Sequence, residues 1–288
     1  IADPFLPRKI EEGRIEDIRE CIGCNICVAS DCLIVPIRCT QNPTMGEEWR
    51  RGWHPERIER KESDARVLIV GAGPAGLECA QALGKRGYPV ALAEAAAKPG
   101  GRVSRESTLP GLAAWSRVRD YRTGQIERLD NVEIFPASRM EAEHVLEFGA
   151  EHVVLATGAR WRRDGIGRNN TQPIAGSELA HVLSPDDVID GAVVDGPVIV
   201  FDDDHYYMGG LMAELLRCRD LDVTLVTPAA QASAWTCNTL EQKRIQTRLL
   251  KIGVKIVALN NLLTIEPDNV ELSCIYTGRR SRLAAAAE

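Results

Sequence analysis

Apolar residues fall along this chain in short unbroken blocks, separated by glycine turns and longer amphipathic stretches. Val67-Leu68-Ile69-Val70 is one such block, and a continuous apolar run of that length suits a central parallel strand buried on both faces. A glycine-rich turn follows. Helical periodicity then begins after Gly73 and ends between Gly84 and Gly87, and a second strand is predicted over 90–94. Further strands are predicted over 132–135 and 152–156, the latter running into Thr157-Gly158. The same succession returns after Gly196, with strands over 198–201, 223–226 and 254–257 and helices over 210–217 and 240–252. A βαβ texture thus occurs twice, with residues 173–195 between the copies, and predicts an α/β protein.

Upstream of residue 65 the texture changes. Residues 1–20 read as a polar lead-in with a short helix near 16–20, and residues 21–60 as a cysteine-rich segment dominated by loops. The charged run Glu59-Arg60-Lys61-Glu62-Ser63-Asp64 reads as a linker, and low complexity is confined to 283–288. The predicted divisions are therefore 1–20, 21–64, 65–195 and 196–288.

The 288 residues leave ample material for a core, and the net charge of −6 argues against a nucleic-acid surface. No apolar stretch approaches a membrane span, and the first residues lack the basic start and apolar core of a signal peptide. A cytoplasmic protein is expected. The chain does not open on Met, which suggests a piece of something longer.

Nine cysteines in a large acidic chain do not make a small disulfide scaffold. Five lie between Cys21 and Cys39. In Cys21-Ile-Gly-Cys24-Asn-Ile-Cys27 three thiols recur at intervals of three, a spacing at which a loop can wind round an iron–sulfur cubane while a more distant cysteine closes the site. Zinc is the rival, but zinc sites more often use two separated pairs than a run of three. For the fourth ligand the spacing leaves both Cys32 and Cys39 open, with the longer separation favouring Cys39. The other cysteines, Cys79, Cys218, Cys237 and Cys274, have no ligand spacing.

Gly71-Ala72-Gly73-Pro74-Ala75-Gly76 follows a predicted buried strand and opens a helix, the context that gives a G-x-G-x-x-G its meaning. Gly71 permits the tight turn, Gly73 lets backbone approach a pyrophosphate, and Gly76 allows close packing of helix on strand. Glu94 ends the next strand, where a carboxylate can accept hydrogen bonds from ribose hydroxyls. Gly101 and Arg102, within Pro99-Gly100-Gly101-Arg102, can bring amides and a guanidinium near the phosphates or ribose, and Ala156-Thr157-Gly158 closes a strand beside the nucleotide. The second copy reads Phe201-Asp202-Asp203-Asp204-His205 where glycines should follow the strand. Carboxylates there would repel a pyrophosphate and obstruct the backbone, so that unit is expected to keep its fold without binding NAD(P)H. Gly209-Gly210 is the alternative, displaced turn. The three acids are expected to form a solvated turn rather than a hard-cation site, and His54 to be structural.

These residues carry a family resemblance. The cysteine run, then Cys39-Thr-Gln-Asn-Pro and Gly46-Glu-Glu-Trp-Arg-Arg-Gly-Trp-His-Pro55, with Pro110-Gly-Leu-Ala-Ala-Trp115 and Asp120-Tyr-Arg122, resemble the iron–sulfur flavoprotein amine dehydrogenases over essentially the whole chain. The resemblance implies two Rossmann-like units of the flavin/pyridine-nucleotide disulfide reductase type, the second inserted into the first. It implies a [4Fe–4S] cluster on Cys21, Cys24, Cys27 and Cys39, and ADP, or FAD, at the first glycine loop. FMN would sit on a (β/α)₈ barrel, of which residues 1–20 resemble the end. The implied activity is oxidation of a small amine, with electrons leaving for an electron-transferring flavoprotein that docks near Tyr121, in a homodimer. Tyr121 reads equally as an ordinary packed tyrosine. The alternative reading is an NAD(P)H-dependent enoate or 2,4-dienoyl-CoA reductase.

Overall fold

The computed structural model describes residues 1–284, and the chain divides into two compact units, Ile1–Ala159 and a second that starts at Arg160. In the first, three short helices precede the sheet: α1 (Leu6–Glu11), α2 (Ile26–Cys32) and α3 (Glu48–Arg51). Next come β1 (Val67–Val70), α4 (Pro74–Arg86), β2 (Val90–Ala93), α5 (Gly101–Glu106), α6 (Arg117–Ile126), β3 (Val132–Phe135), α7 (Ala142–Phe148) and β4 (His152–Leu155). The four strands form one parallel sheet in the order β3-β2-β1-β4, with Val67 opposite Val90 on one side and His152 on the other.

The central strands β1 and β2 are buried on both faces, as their unbroken apolar runs require. Ile69 and Leu92 pack with Leu77, Ala80 and Ile126 on one face, while Leu68, Val70, Ala91 and Ala93 meet Phe135, Val145 and Phe148 on the other. Helix α4 lies so close to the sheet that a Cβ on Gly84 would stand 2.4 Å from Val132 Cγ2.

The cysteine segment is fastened to this unit by polar side chains of α6. Arg122 is 3 % exposed. Its Nε donates to Glu78 of α4 at 2.7 Å, its Nη1 to Gln41 Oε1 at 2.7 Å and its Nη2 to the Gln41 carbonyl at 3.3 Å. Gln41, 1 % exposed, in turn donates to the Glu20 carbonyl at 3.0 Å, and Arg117 reaches the Cys21 carbonyl at 2.7 Å. Burial pushes the Arg122 guanidinium below its ordinary pKa, with Glu78 opposing.

The second unit contains α8 (Pro185–Ile189), β5 (Val198–Phe201), α9 (Met208–Arg217), β6 (Val223–Val226), α10 (Gln242–Lys251) and β7 (Lys255–Val257), then β8 (Asn260–Ile265), β9 (Asn269–Cys274) and β10 (Arg280–Ala284). A parallel sheet runs β5-β6-β7, and an antiparallel one runs β10-β9-β8. The pattern predicts 65–195 as one division, but the compact unit already begins at 160. Ile174 packs with Val226, Leu262, Val270 and Leu272, and Ala175 bridges to Thr264, so these residues share the second core. The alanine and glutamate residues 285–288 of the low-complexity stretch lie outside the described residues.

The turn from β5 into α9 departs from the expected solvated acidic loop. Asp202 is 2 % exposed; its Oδ1 accepts from the His205 amide at 3.0 Å while its buried Oδ2 has no partner. Burial raises its carboxyl pKa, against the opposing His205 amide bond. Its side chain covers Gly209, whose added Cβ would stand 2.5 Å from Asp202 Cγ. Asp203 faces the loop before it in the chain, accepting from the Asn169 amide at 3.0 Å and from its side chain. Residues 167–170 lie against Asp203, where a Cβ on Gly167 would stand 2.3 Å from Asp203 Oδ2.

Two outcomes follow. Arg122→Met strips the donor from Gln41 Oε1 and the Gln41 carbonyl and removes the charge partner of Glu78, so it should cost about 3 kcal/mol in chemical denaturation, whereas Arg119→Met, at a more exposed site, should cost far less. Because the raised Asp202 pKa lets the unfolded chain ionise first, stability is lost as pH rises from about 4 until the folded-state carboxyl ionises too. Asp202→Asn should therefore gain stability relative to wild type across that window, and parallel pH–stability curves for the two proteins would refute this.

Candidate cofactor sites

The first glycine loop is built by steric demand. Gly71 has φ +104°, and a Cβ there would stand 2.4 Å from the Ala156 carbonyl oxygen; one on Gly76 would stand 1.8 Å from the Gly71 oxygen. Both glycines are fixed by close backbone approach. Gly73 differs, since the space its side chain would occupy is open. It stands at the N-cap of α4, a helix of 13 residues whose amide end favours an anion.

Glu94, 9 % exposed, lies behind this loop. Its Oε2 accepts from the Ala72 amide at 2.8 Å and its Oε1 from the Ala96 amide at 2.8 Å. Each carboxylate oxygen keeps lone-pair capacity for a further donor, so the acid both holds the loop's shape and remains available to ribose hydroxyls. The Gly100 amide donates to the Ala72 carbonyl at 2.7 Å, and a Cβ on Gly101 would come 3.1 Å from Gly73 Cα. Arg102 crosses to the Ala159 carbonyl at 2.7 Å and to Glu106 at 3.4 Å. Ala156 continues β4, its amide donating to Val70 at 2.8 Å, and exposed Thr157 and Gly158 follow. Pro74 and Ala75 open α4 at the surface. The residues singled out for a nucleotide therefore gather at the carboxyl ends of β1, β2 and β4, where open α/β sheets bind ligands.

The cysteines are all free thiols. Gly23 and Asn25 take left-handed conformations, with φ +69° and +53°, and turn the chain between Cys21, Cys24 and Cys27. Cys27 lies on α2, with Cys32 at the far end of the same helix. Cys24 packs against the buried cluster of Ile22, Val103 and Val118, so the run is seated on α5 and α6. Thr40, the neighbour of Cys39, places its Oγ1 3.1 Å from Cys24 Sγ, which brings the distant cysteine's loop to the run. Cys32, by contrast, is exposed in the segment leading to exposed Leu33, Ile34 and Val35. Among the described residues no three Cys, His, Asp or Glu side chains are gathered as ligands of a single ion. A cubane makes no such demand, because it spreads its thiolates over separate irons. Thiols alone, without carboxylates among them, suit such a cluster.

Tyr121 is half-buried beneath Arg19, whose guanidinium lies 4.9 Å from the ring centroid, beside a recess of about 220 Å³ that Lys85 and Gln125 also line. His54 stacks on Phe5 at 5.4 Å, and its Nδ1 accepts from the amides of Glu56 and Arg57, a structural role. The Thr40 contact escapes any spacing rule, since it joins side chains 16 residues apart through a loop.

The pattern of the family described as pyridine nucleotide-disulphide oxidoreductase matches residues 65–188. Dimethylamine dehydrogenase of Hyphomicrobium sp. (strain x) is 45 % identical over 285 residues, covering 96 % of this chain and 39 % of that protein. The structure of histamine dehydrogenase from Rhizobium sp. 4-9 superposes with a TM-score of 0.96 at 53 % identity, covering 100 % of this chain and 45 % of that one. 6-Hydroxypseudooxynicotine amine oxidase from Pseudomonas geniculata N1 does so with a TM-score of 0.97 at 48 % identity, covering 99 % and 43 %. The chain thus spans less than half the length of these relatives. Among the described residues no helix is long and apolar enough to cross a membrane. With such likeness sustained from end to end, the chain belongs to the flavoprotein amine dehydrogenase family.

Proposed function

We propose that this chain is the electron-transfer portion of an amine dehydrogenase. In this reading a small amine is oxidised at FMN on a barrel domain, and electrons leave through this portion to an electron-transferring flavoprotein that docks near Tyr121. The observation that carries the reading is the seating of the free-thiol run on α5 and α6 of the nucleotide fold, with the Cys39 loop brought to Cys24 through Thr40. Cys21, Cys24, Cys27 and Cys39 would hold the [4Fe–4S] cluster, which supplies one-electron carriage when bound. The apolar contacts of Ile22, Val103 and Val118 keep water from one side of that site.

ADP is the occupant proposed for the first glycine loop. Gly73 leaves room for the pyrophosphate at the start of α4, and Glu94 is already oriented by the Ala72 and Ala96 amides to meet the ribose. The second unit offers no equivalent. Asp202 covers Gly209, where a pyrophosphate would need bare backbone. Nicotinamide cofactors are therefore not its ligands.

Iron and acid-labile sulfide analysis of the protein should return about four of each per chain. Cys39→Ala should abolish the visible absorbance of the cluster while Cys32→Ala retains it; the reverse pattern would assign the fourth ligand to Cys32, and zinc in place of iron would sink the reading. At Gly73 the backbone is compatible with a side chain and nothing obstructs one. Gly73→Ala should accordingly cost no more than about 1 kcal/mol, the difference between glycine and alanine as a helix cap, yet weaken ADP binding in calorimetry by about tenfold or more. Gly76→Ala should unfold the loop itself. Cluster bleaching on addition of NADPH would favour the reductase alternative.

A further inference from the structure

We propose that Thr40 sets the reduction potential of the cluster by donating a hydrogen bond to the sulfur of Cys24. The inference rests on the reading that Cys24 is a cluster ligand. Thr40 Oγ1 stands 3.1 Å from Cys24 Sγ, a pair in which either atom can donate while the cysteine is a thiol. Ligation removes that choice. A thiolate has no proton, so the hydroxyl must be the donor and the sulfur the acceptor.

The surroundings of Cys24 make this bond matter. One side of the residue packs against the buried cluster of Ile22, Val103 and Val118, apolar side chains that offer its sulfur no hydrogen bond. Cys21 is exposed and takes its contact from the Gly23 amide at 3.3 Å. Thr40 is thus a side-chain donor, open to substitution, at the more enclosed of these two sulfurs. Adding one electron to the cluster adds negative charge, which spreads onto the thiolates. A donor aimed at a thiolate therefore stabilises the reduced form more than the oxidised form and raises the potential. Thr40 also adjoins Cys39, so the loop that supplies the fourth thiolate carries the donor for another ligand. Because the hydroxyl lies near solvent, the effect should be moderate.

The test is an equilibrium redox titration of the purified protein, following the paramagnetic signal of the reduced cluster, with iron and sulfide measured on every sample. Thr40→Val keeps the shape and removes the donor. Its one-electron reduction equilibrium should fall by up to about tenfold, equivalent to about 59 mV, while Thr40→Ser should stay near wild type. If Thr40→Val fails to retain iron, Thr40→Ala provides the same comparison. Iron absent from wild type would overturn the cluster reading and this role together. Full iron in all proteins with unmoved potentials would overturn the role of Thr40 alone, leaving the cluster in place.

Discussion

A buried guanidinium must find its full complement of acceptors, and Arg122 finds them only when the cysteine segment is docked. Its own helix supplies the Val118 carbonyl at 3.0 Å, and α4 supplies Glu78; the rest come from Gln41. An undocked segment would leave the charge of Arg122 short of partners inside the nucleotide fold. Placement of the Cys39 loop is therefore coupled to the pairing of α4 with α6. The cysteine run and the glycine loop, remote in sequence, become parts of one compact unit.

That coupling explains which parts of the fold were legible. The strands β1 and β2 declare themselves because a strand covered on both faces needs an unbroken apolar run. The glycine loop declares itself because the backbone contacts at Gly71 and Gly76 admit one residue type. Helix α6 stays silent, since Arg117–Ile126 is mostly polar and two of its inward residues are Arg122 and Gln125. Hydrophobic periodicity registers apolar burial and misses a helix that packs through hydrogen-bonded polar groups. The β8–β10 sheet is missed for a related reason: its inward Leu262, Val270 and Leu272 alternate with polar residues in strands whose pairing is antiparallel, outside the βαβ rhythm.

Charge was misread in one place. Three consecutive aspartates ordinarily signal a solvated turn, yet Asp202 is buried and Asp203 is bonded to Asn169. Sequence shows that the acids are present but carries no signal that Asp202 will turn inward onto Gly209 or that Asn169 will meet Asp203. Likewise 173–195 looks like a connection, although Ile174 belongs to the second core. Both departures arise from contacts between segments far apart in the chain, which local pattern cannot encode.

The two βαβ units together show how position decides what a carboxylate does. Glu94 stands at the end of β2, behind the loop, where it accepts from the Ala72 amide and leaves the space at Gly73 open. Asp202 stands at the end of β5, on the loop itself, where it covers Gly209 and takes the His205 amide. Both acids bond a loop amide; one lies behind its loop and the other within its turn. An acid beneath the loop preserves the amide surface an anion needs, and an acid within it takes a loop amide for itself. The first unit thereby keeps an open amide end at the start of α4. The second keeps the strands and helix of that fold while its own carboxylate satisfies the turn.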